Sequence, residues 1–419
     1  MLKHIFRNLW NTRKRNAWIV LELVVITVVC WIVVDPLFVL LYNKSIPDGY
    51  EADGLYKIEL STIPSDSVPP VEEFYQLMSR LRSHTQIESA TYVIGGMYPC
   101  APSNSFNNIT VDTASVRVAF MRFFPQTDFF KTWRMRSAKD ETWETLEKAQ
   151  MLPFSMILTS DAATRLSPDE DMTGKTIYGR DSLPMKVVAL MQPVKMKNCM
   201  QPYYLRLIPW TEPLPDWALD GGLQVFFRTK PNVSEQLFME EFIPWMEDNL
   251  TVGNFFFSKV EPFHKVRERS DLKEGATSEI RIKYALCYFF LINLFLGVSG
   301  TFWLSTRTRR EEMGVRLSYG ASPRLIRRML LGEASILTTI SVAVGCLIYF
   351  QWALSEGFYE MKSMAPSDDS MYITNQFMLH FFIVSGIVYG VMLVVTWIGV
   401  WIPARKCSKI SPVSALKDE

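Results

Sequence analysis

The chain lacks most of what an active site needs. Its 419 residues hold four histidines, His4, His84, His264 and His380, too scattered for a close metal-ligand pair. There is no G-x-S-x-G nucleophile elbow. No stretch has the full G-x-x-x-x-G-K-[ST] spacing of a phosphate-binding loop. Gly174-Lys175-Thr176 matches the tail of that motif, but its first glycine would fall at Asp169, so a turn is expected there. These absences predict no catalytic, cofactor-binding or metal-binding residue. An excess of one charge is missing too: 44 basic against 43 acidic residues leave a net +1. That excludes a domain-wide basic surface, and with it a nucleic-acid partner. The acidic cluster Asp169-Glu170-Asp171 sits among turn formers and reads as a solvated loop. Six cysteines are too few for a disulfide scaffold. Cys30, Cys287 and Cys346 fall in apolar runs and Cys407 in a basic tail, which leaves Cys100 and Cys199 in the polar part. Two readings stay open for these two: a disulfide in an oxidising compartment, or two buried free thiols.

What the chain does have is long apolar runs. Tyr284 to Thr306 and Ala334 to Ser355 carry no charge, and each is long enough to cross a bilayer as a helix. Between them lies Thr306 to Glu333, with Arg307, Arg309, Arg310, Arg316, Arg324, Arg327 and Arg328. Short arginine-rich connections stay in the cytoplasm. Within this one, Met313, Val315 and Leu317 are apolar, Gly320 offers a helix stop, and Ser322-Pro323 offers a helix start. The pattern predicts a short helix, a break, and a second helix running through Leu325, Ile326, Met329 and Leu330 into the membrane. The competing reading is an anchor that only orients the spans by its charge.

In chain order, Leu2, Ile5, Phe6, Leu9 and Trp10 predict an amphipathic interfacial helix over 1–16. Residues 17–41 form the first span, with Glu22 and Asp35 within roughly 10 Å of its ends and expected to snorkel. Residues 42–283 are soluble in character. Strand-like GLYKIEL, IESATYV, SVRVAFMRFF, MKVVALM and GLQVFFRT alternate with helix-like VEEFYQLMSRLRS and SEQLFMEEFIPWMEDNL, which predicts an α+β or α/β domain. Then follow a second span (284–305), the basic segment (306–333), a third span (334–354), a short acidic outer loop (355–376), a fourth span (377–402) and a cytoplasmic tail (403–419). Gly386 and Gly390 of the fourth span form G-x-x-x-G, which suits packing within one bundle or against a second copy.

The stretch R-R-E-E-M-G-V-R-L-S-Y-G-A-S resembles the cytoplasmic segment of the MacB/FtsX-like ABC transporter permeases. Their pattern is close to R-[RT]-x-E-[IM]-G-[IV]-[RL]-x-x-x-G-A-S, matched here by Arg309, Arg310, Glu312, Met313, Gly314, Val315, Arg316, Gly320, Ala321 and Ser322. SMILTSDAATRLSPDEDMTGKTIYGRDSLPMKVVALMQPVK is similar to part of the family's extracytoplasmic core, with Ala189 where many relatives have glycine. Pro403, Ala404, Arg405, Ile410, Pro412, Val413, Ala415 and Leu416 match the family ending. The resemblance covers nearly the whole chain.

It implies a membrane protein of four transmembrane α-helices, with a large two-lobed α+β extracytoplasmic domain (MacB-like periplasmic core) between the first and second. One lobe would be built of paired βαβ-like units and the other inserted. It implies a permease subunit, not itself an enzyme, coupled to a separate cytoplasmic ABC ATPase dimer that binds ATP–Mg. ATP binding and hydrolysis there would move the outer domain, for export, efflux or mechanotransmission. Arg309, Arg310, Glu312, Met313, Gly314, Val315, Arg316, Gly320 and Ala321 would couple the two chains. A second permease copy (homodimer or paralogous heterodimer) and membrane lipid are implied partners, and a periplasmic adaptor or hydrolase is compatible with them. The implied location is the bacterial inner membrane, both termini cytoplasmic. Other roles stay open: release of lipoproteins, an FtsX-like signal to a cell-wall hydrolase, or, from another class, a membrane-anchored ligand sensor without ATPase.

Overall fold

The computed structural model describes residues 13–63, 70–102, 104–178, 183–308, 310–359 and 372–408. Most of the helix expected over 1–16, most of the outer loop and the tail beyond 408 fall outside those residues. Two units divide the chain, one of long helices and one comprising residues 42–277. Helix α1 (Arg13–Ser45) is the first element among the described residues. Its 33 residues make it about 50 Å long, more than a hydrocarbon core needs.

In the soluble unit, β1 (Leu55–Thr62), α2 (Val71–Ser83) and β2 (Ile87–Ile94) come first. The chain then runs through β3 (Phe106–Val111), β4 (Ala114–Phe123), short helices α3 (Phe129–Trp133) and α4 (Glu144–Glu147), and β5 (Ser155–Thr159). Next are α5 (Ser160–Leu166), β6 (Thr176–Tyr178), β7 (Pro184–Met191) and β8 (Leu205–Pro209). It returns as β9 (Leu223–Thr229), α6 (Glu235–Asn249), β10 (Thr251–Val252), β11 (Phe255–Pro262) and α7 (Phe263–Lys273). The four main strands of the first lobe lie in the order β11-β1-β9-β2, all antiparallel neighbours. Two βαβ units, β1-α2-β2 and β9-α6-β11, therefore interleave as a split βαβ sheet. Everything between β2 and β9 is an insertion. Its strands run β4-β3-β6-β7-β5-β8, and β8 pairs back onto β4, so this lobe closes on itself. A closed sheet leaves no free edge for a stray strand to join.

Helix α2 packs because Phe74, Leu77, Met78 and Leu81 recur at helical spacing and all are buried. They meet Tyr92, Phe227, Phe238, Phe242 and Phe255 in the first lobe's core. A second core gathers Phe123, Phe129, Phe130, Trp133, Phe226 and Phe263; a third fills the closed lobe with Ile109, Val118, Met156, Leu158 and Val187. The expected turn at the G-K-T stretch is present: Gly174 has φ +85°, and Lys175 pairs with Glu170.

Cys100 and Cys199 are both free and buried, so the disulfide is not formed. The Cys100 thiol faces the Tyr50 hydroxyl at 3.8 Å, and Asn43 donates to the Cys199 carbonyl. Burial pushes both thiols up to about 11. At pH 8 roughly one in a thousand of each would then be thiolate, the reactive form. In the folded chain both should resist alkylation at pH 8, and after denaturation both should react. A mass spectrum with either one labelled in the native state would contradict this burial.

The membrane unit continues with α8 (Ala276–Thr308), α9 (Arg310–Ser318), α10 (Pro323–Glu356) and α11 (Phe377–Cys407). Four of its helices, α1, α8, α10 and α11, are long and apolar enough to cross a membrane. Helix α8 begins before residue 284, because helical hydrogen bonding continues through Glu279, Arg281 and Lys283 regardless of polarity. Trp31 anchors the core of this unit, stacked on Tyr349 at 4.4 Å and on Phe381 at 5.5 Å.

Two expectations about the spans are corrected, and the reading left open for Gly386 and Gly390 is narrowed. Asp35 does not snorkel: it is fully buried and faces His380. Glu22 is half-buried, its carboxylate against Gly297 and accepting from the Thr301 hydroxyl at 3.5 Å. Gly386 and Gly390 do not pack within this bundle, since a Cβ on either would meet nothing within 4 Å. Gly345 makes a close helix approach instead: a Cβ there would sit 2.7 Å from Thr27 and 3.3 Å from the Val24 carbonyl.

Candidate functional site

The connection between α8 and α10 is where the local signals are densest. Helix α9 ends in a Schellman motif. The Gly320 amide donates to the Leu317 carbonyl and the Ala321 amide to the Arg316 carbonyl, both at 3.0 Å, with Gly320 left-handed at φ +90°. Only glycine adopts that conformation without strain, so the chain stops and turns here. Ser322 then caps α10: its hydroxyl accepts from the Leu325 amide, with Pro323 in the first turn. The turn folds α9 onto the start of α10, so that Met313, Ile326 and Leu330 share one core with Leu317 and Met329 alongside.

Of the residues predicted to couple to a partner, Arg309 lies outside the described residues, as do the side chains of Arg310 and Glu312. Met313 and Gly314 are buried, and Ala321 is half-buried. Arg316 is half-buried with Nη1 2.6 Å from the Met329 sulfur. Val315 faces out at 41% exposure. Two exposed residues that motif matching did not select follow it in the chain, Tyr319 in the turn at 89% and Leu325 in the first turn of α10 at 47% exposure. Arg324 and Arg328 of α10 are exposed as well. Met313 thus holds α9 in the core, while the connection leaves Val315, Tyr319 and Leu325 and the guanidinium groups of Arg324 and Arg328 in water. Chemically, such a patch can bury Tyr319 in a pocket and pair its arginines with carboxylates.

A second polar cluster ties together both ends of the soluble unit. Lys195 is buried and donates to the carbonyls of Asn43 (2.8 Å) and Ile46 (3.0 Å). Arg267 on α7 pairs with Asp48 at 2.7 Å and donates to Asn198 Oδ1 at 2.6 Å. The segment entering the unit and the helix near its exit are therefore held by one loop, 195–198. Spacing alone could not reveal this, because the partners are far apart in the chain. A cavity of about 530 Å³ elsewhere in the unit is lined by Glu51, Glu88, Arg134, Arg136, Trp143 and Arg228. Its arginines are already committed: Arg134 to Glu88 at 2.6 Å, Arg136 to Glu51 at 2.9 Å. Among the described residues no group of three His, Cys, Asp or Glu side chains could hold a metal ion.

Residues 284–412 match the model of the FtsX-like permease C-terminal domain. Over 272 residues the chain is 24% identical to the macrolide export ATP-binding/permease protein MacB of Campylobacter jejuni subsp. jejuni serotype O:23/36 (strain 81-176), covering 63% of this chain and 39% of that protein. It is 23% identical over 226 residues to the ABC transporter permease YtrF of Bacillus subtilis (strain 168), covering 50% of each. It thus spans half or less of the length of these relatives. Among solved structures, the periplasmic region of MacB from Actinobacillus actinomycetemcomitans aligns over 53% of this chain and 94% of its own, at 10% identity and a TM-score of 0.32.

Proposed function

We infer the function from one premise: this chain is a permease of the MacB/FtsX-like ABC transporter kind. We propose that the turn between α9 and α10 is its docking surface for a separate cytoplasmic ABC ATPase, which binds ATP–Mg. The carrying observation is that Val315 on α9, Tyr319 in the turn and Leu325 on α10 are all exposed, as are Arg324 and Arg328, while Met313 pins α9 into the core. In a dimer of permeases on a dimer of ATPases, closure of the ATPases on ATP pulls the two turns together. Helix α10 is continuous from the turn to Glu356, so a pull at its start moves a rigid rod. Helices α1 and α8 bound the soluble unit in sequence and pass the motion on. Lys195 and Arg267 bind the ends of that unit into one block, so work is done outside the membrane, as export or as mechanotransmission.

Affinity purification of the full chain from its own membranes, followed by an ATP-hydrolysis assay of the eluate, tests this reading. An ATPase should co-purify. Its absence at matched expression would favour a ligand sensor that works without one. Orientation is tested by single cysteines in a variant lacking the native ones. Lys148→Cys should be labelled on intact spheroplasts by an impermeant maleimide, and Tyr319→Cys only after permeabilisation. The reverse pattern would put the arginine-rich turn outside and remove the basis for an ATPase partner.

A further inference from the structure

A groove of about 520 Å³ opens on the outside of the membrane unit, between α1 and α8. Its α1 wall is Trp18, Leu21, Glu22, Val25 and Ile26, spaced i, i+3, i+4, i+7 and i+8, so all five share one helical face. Thr301 of α8 lines the other side. Trp18, Leu21 and Val25 stand exposed, on a surface that faces acyl chains when the helix spans a bilayer. The lining is therefore an indole ring and aliphatic side chains around one carboxylate and one hydroxyl.

Gly297 of α8 makes room for that carboxylate: a Cβ there would lie 2.2 Å from Glu22 Oε1. The Thr301 hydroxyl is 3.5 Å from Oε2, but it has a single hydrogen and a better acceptor, the Gly297 carbonyl at 2.8 Å. No lysine, arginine or histidine lines the groove. A carboxylate inside a membrane-spanning helix is costly and is kept where it has a partner and a task. The partner that fits these walls is a cation with an apolar body.

We propose that this groove binds a membrane-dissolved amine, one ammonium group carried on an apolar chain or ring system. The ammonium meets Glu22, with the Trp18 ring one turn away on the same face to add a cation–π contact. The apolar body lies along Leu21, Val25 and Ile26. Charge selects this occupant over two others. A second copy of the chain would bring only apolar span surface, because residues 284–306, 334–355 and 377–402 contain no lysine or arginine. A zwitterionic lipid head would bring a phosphate too, and the lining offers that anion no cation. Binding at this groove needs nothing from an ATPase.

Native mass spectrometry of the full chain in a non-ionic detergent, titrated with dodecylamine, tests this. One amine should bind saturably, about ten- to a hundred-fold tighter than dodecanol, the range of one hydrogen bond between charged groups. Glu22→Gln should bring the amine down to the level of the alcohol. Ile26→Trp, which fills the groove but keeps the carboxylate, should weaken both. Equal affinity for amine and alcohol in the wild type overturns the proposal, as does unchanged amine affinity in Glu22→Gln. Dodecylphosphoethanolamine binding as tightly as dodecylamine would assign the groove to a zwitterionic head and overturn it too. So would a wild-type dimer that takes up no amine and is split by Ile26→Trp, since a second copy would then cover the groove. If Glu22→Gln fails to fold, Ile26→Trp decides: undiminished amine binding in that variant overturns the proposal.

Discussion

Truncating the exposed patch with Tyr319→Ala and Leu325→Ser should cost about 2–4 kcal/mol of ATPase affinity, a weakening of about 30- to 700-fold. The size follows from the position of these side chains. Tyr319 is almost wholly in water, so the chain itself gains nothing from its ring. A large aromatic left there becomes valuable when a partner pocket desolvates it. Membrane insertion and thermal stability should stay unchanged, because the fold of the turn depends on Met313, Gly320 and Ser322. Arg316→Glu should also abolish ATP-driven function, with a smaller loss of stability of its own because the side chain is half-buried against Met329. The measurements are capture of the ATPase by matched amounts of each variant, and ATP turnover in the captured complex. If the double truncation captures the ATPase normally and supports full turnover, the turn is a topological anchor and the coupling mechanism fails.

The turn was legible in the sequence because its determinants are local. Gly320, Ser322 and Pro323 act within a few residues of themselves, and the stop and start they predict are the Schellman motif and N-cap that form. The spans were legible for a similar reason, since an uncharged run of 20 residues allows few alternatives. What the sequence concealed was pairing across distance. Asp35 reads as an edge residue by its depth in the run; only the fold brings it to a histidine 345 residues away. Glycine spacing had the same limit. Gly386 and Gly390 form the recognised motif yet face no helix of this bundle, while Gly345 makes a close approach without that motif. A spacing names a face of a helix and says nothing of what lies opposite. In the soluble unit, α2 and β9 were plain from periodicity and apolar runs. Strand β8, five residues with a buried arginine, was missed because its pattern is too short to separate from a loop.

Replacing Arg228 with methionine should destabilise the chain by about 3–5 kcal/mol, a drop of roughly 6–20 °C in unfolding temperature for a unit of this size. Arg228 stands on β9 beside Phe226 and Phe227 and is 5% exposed. Its guanidinium donates from Nε to the Thr132 carbonyl at 2.7 Å, from Nη1 to Asp53 at 2.6 Å and from Nη2 to Glu51 at 2.5 Å. One side chain thus satisfies three carbonyls and ties α3 and the lead into β1 to the middle of the sheet. Burial pulls its pKa down to about 10, so it remains charged at neutral pH, and Glu51, Glu88 and Asp53 nearby offset part of that penalty. Methionine fills similar volume but donates nothing, leaving three carbonyls without their donor, while Glu88 and Glu51 keep Arg134 and Arg136. Lysine should fail nearly as badly, because a single ammonium cannot reproduce the planar fork that reaches three directions. Thermal unfolding of the full chain in detergent, with wild type and both variants at matched concentration, measures the effect. If Arg228→Met unfolds within about 2 °C of wild type, the three carbonyls find other donors and Arg228 is not the tie between these elements.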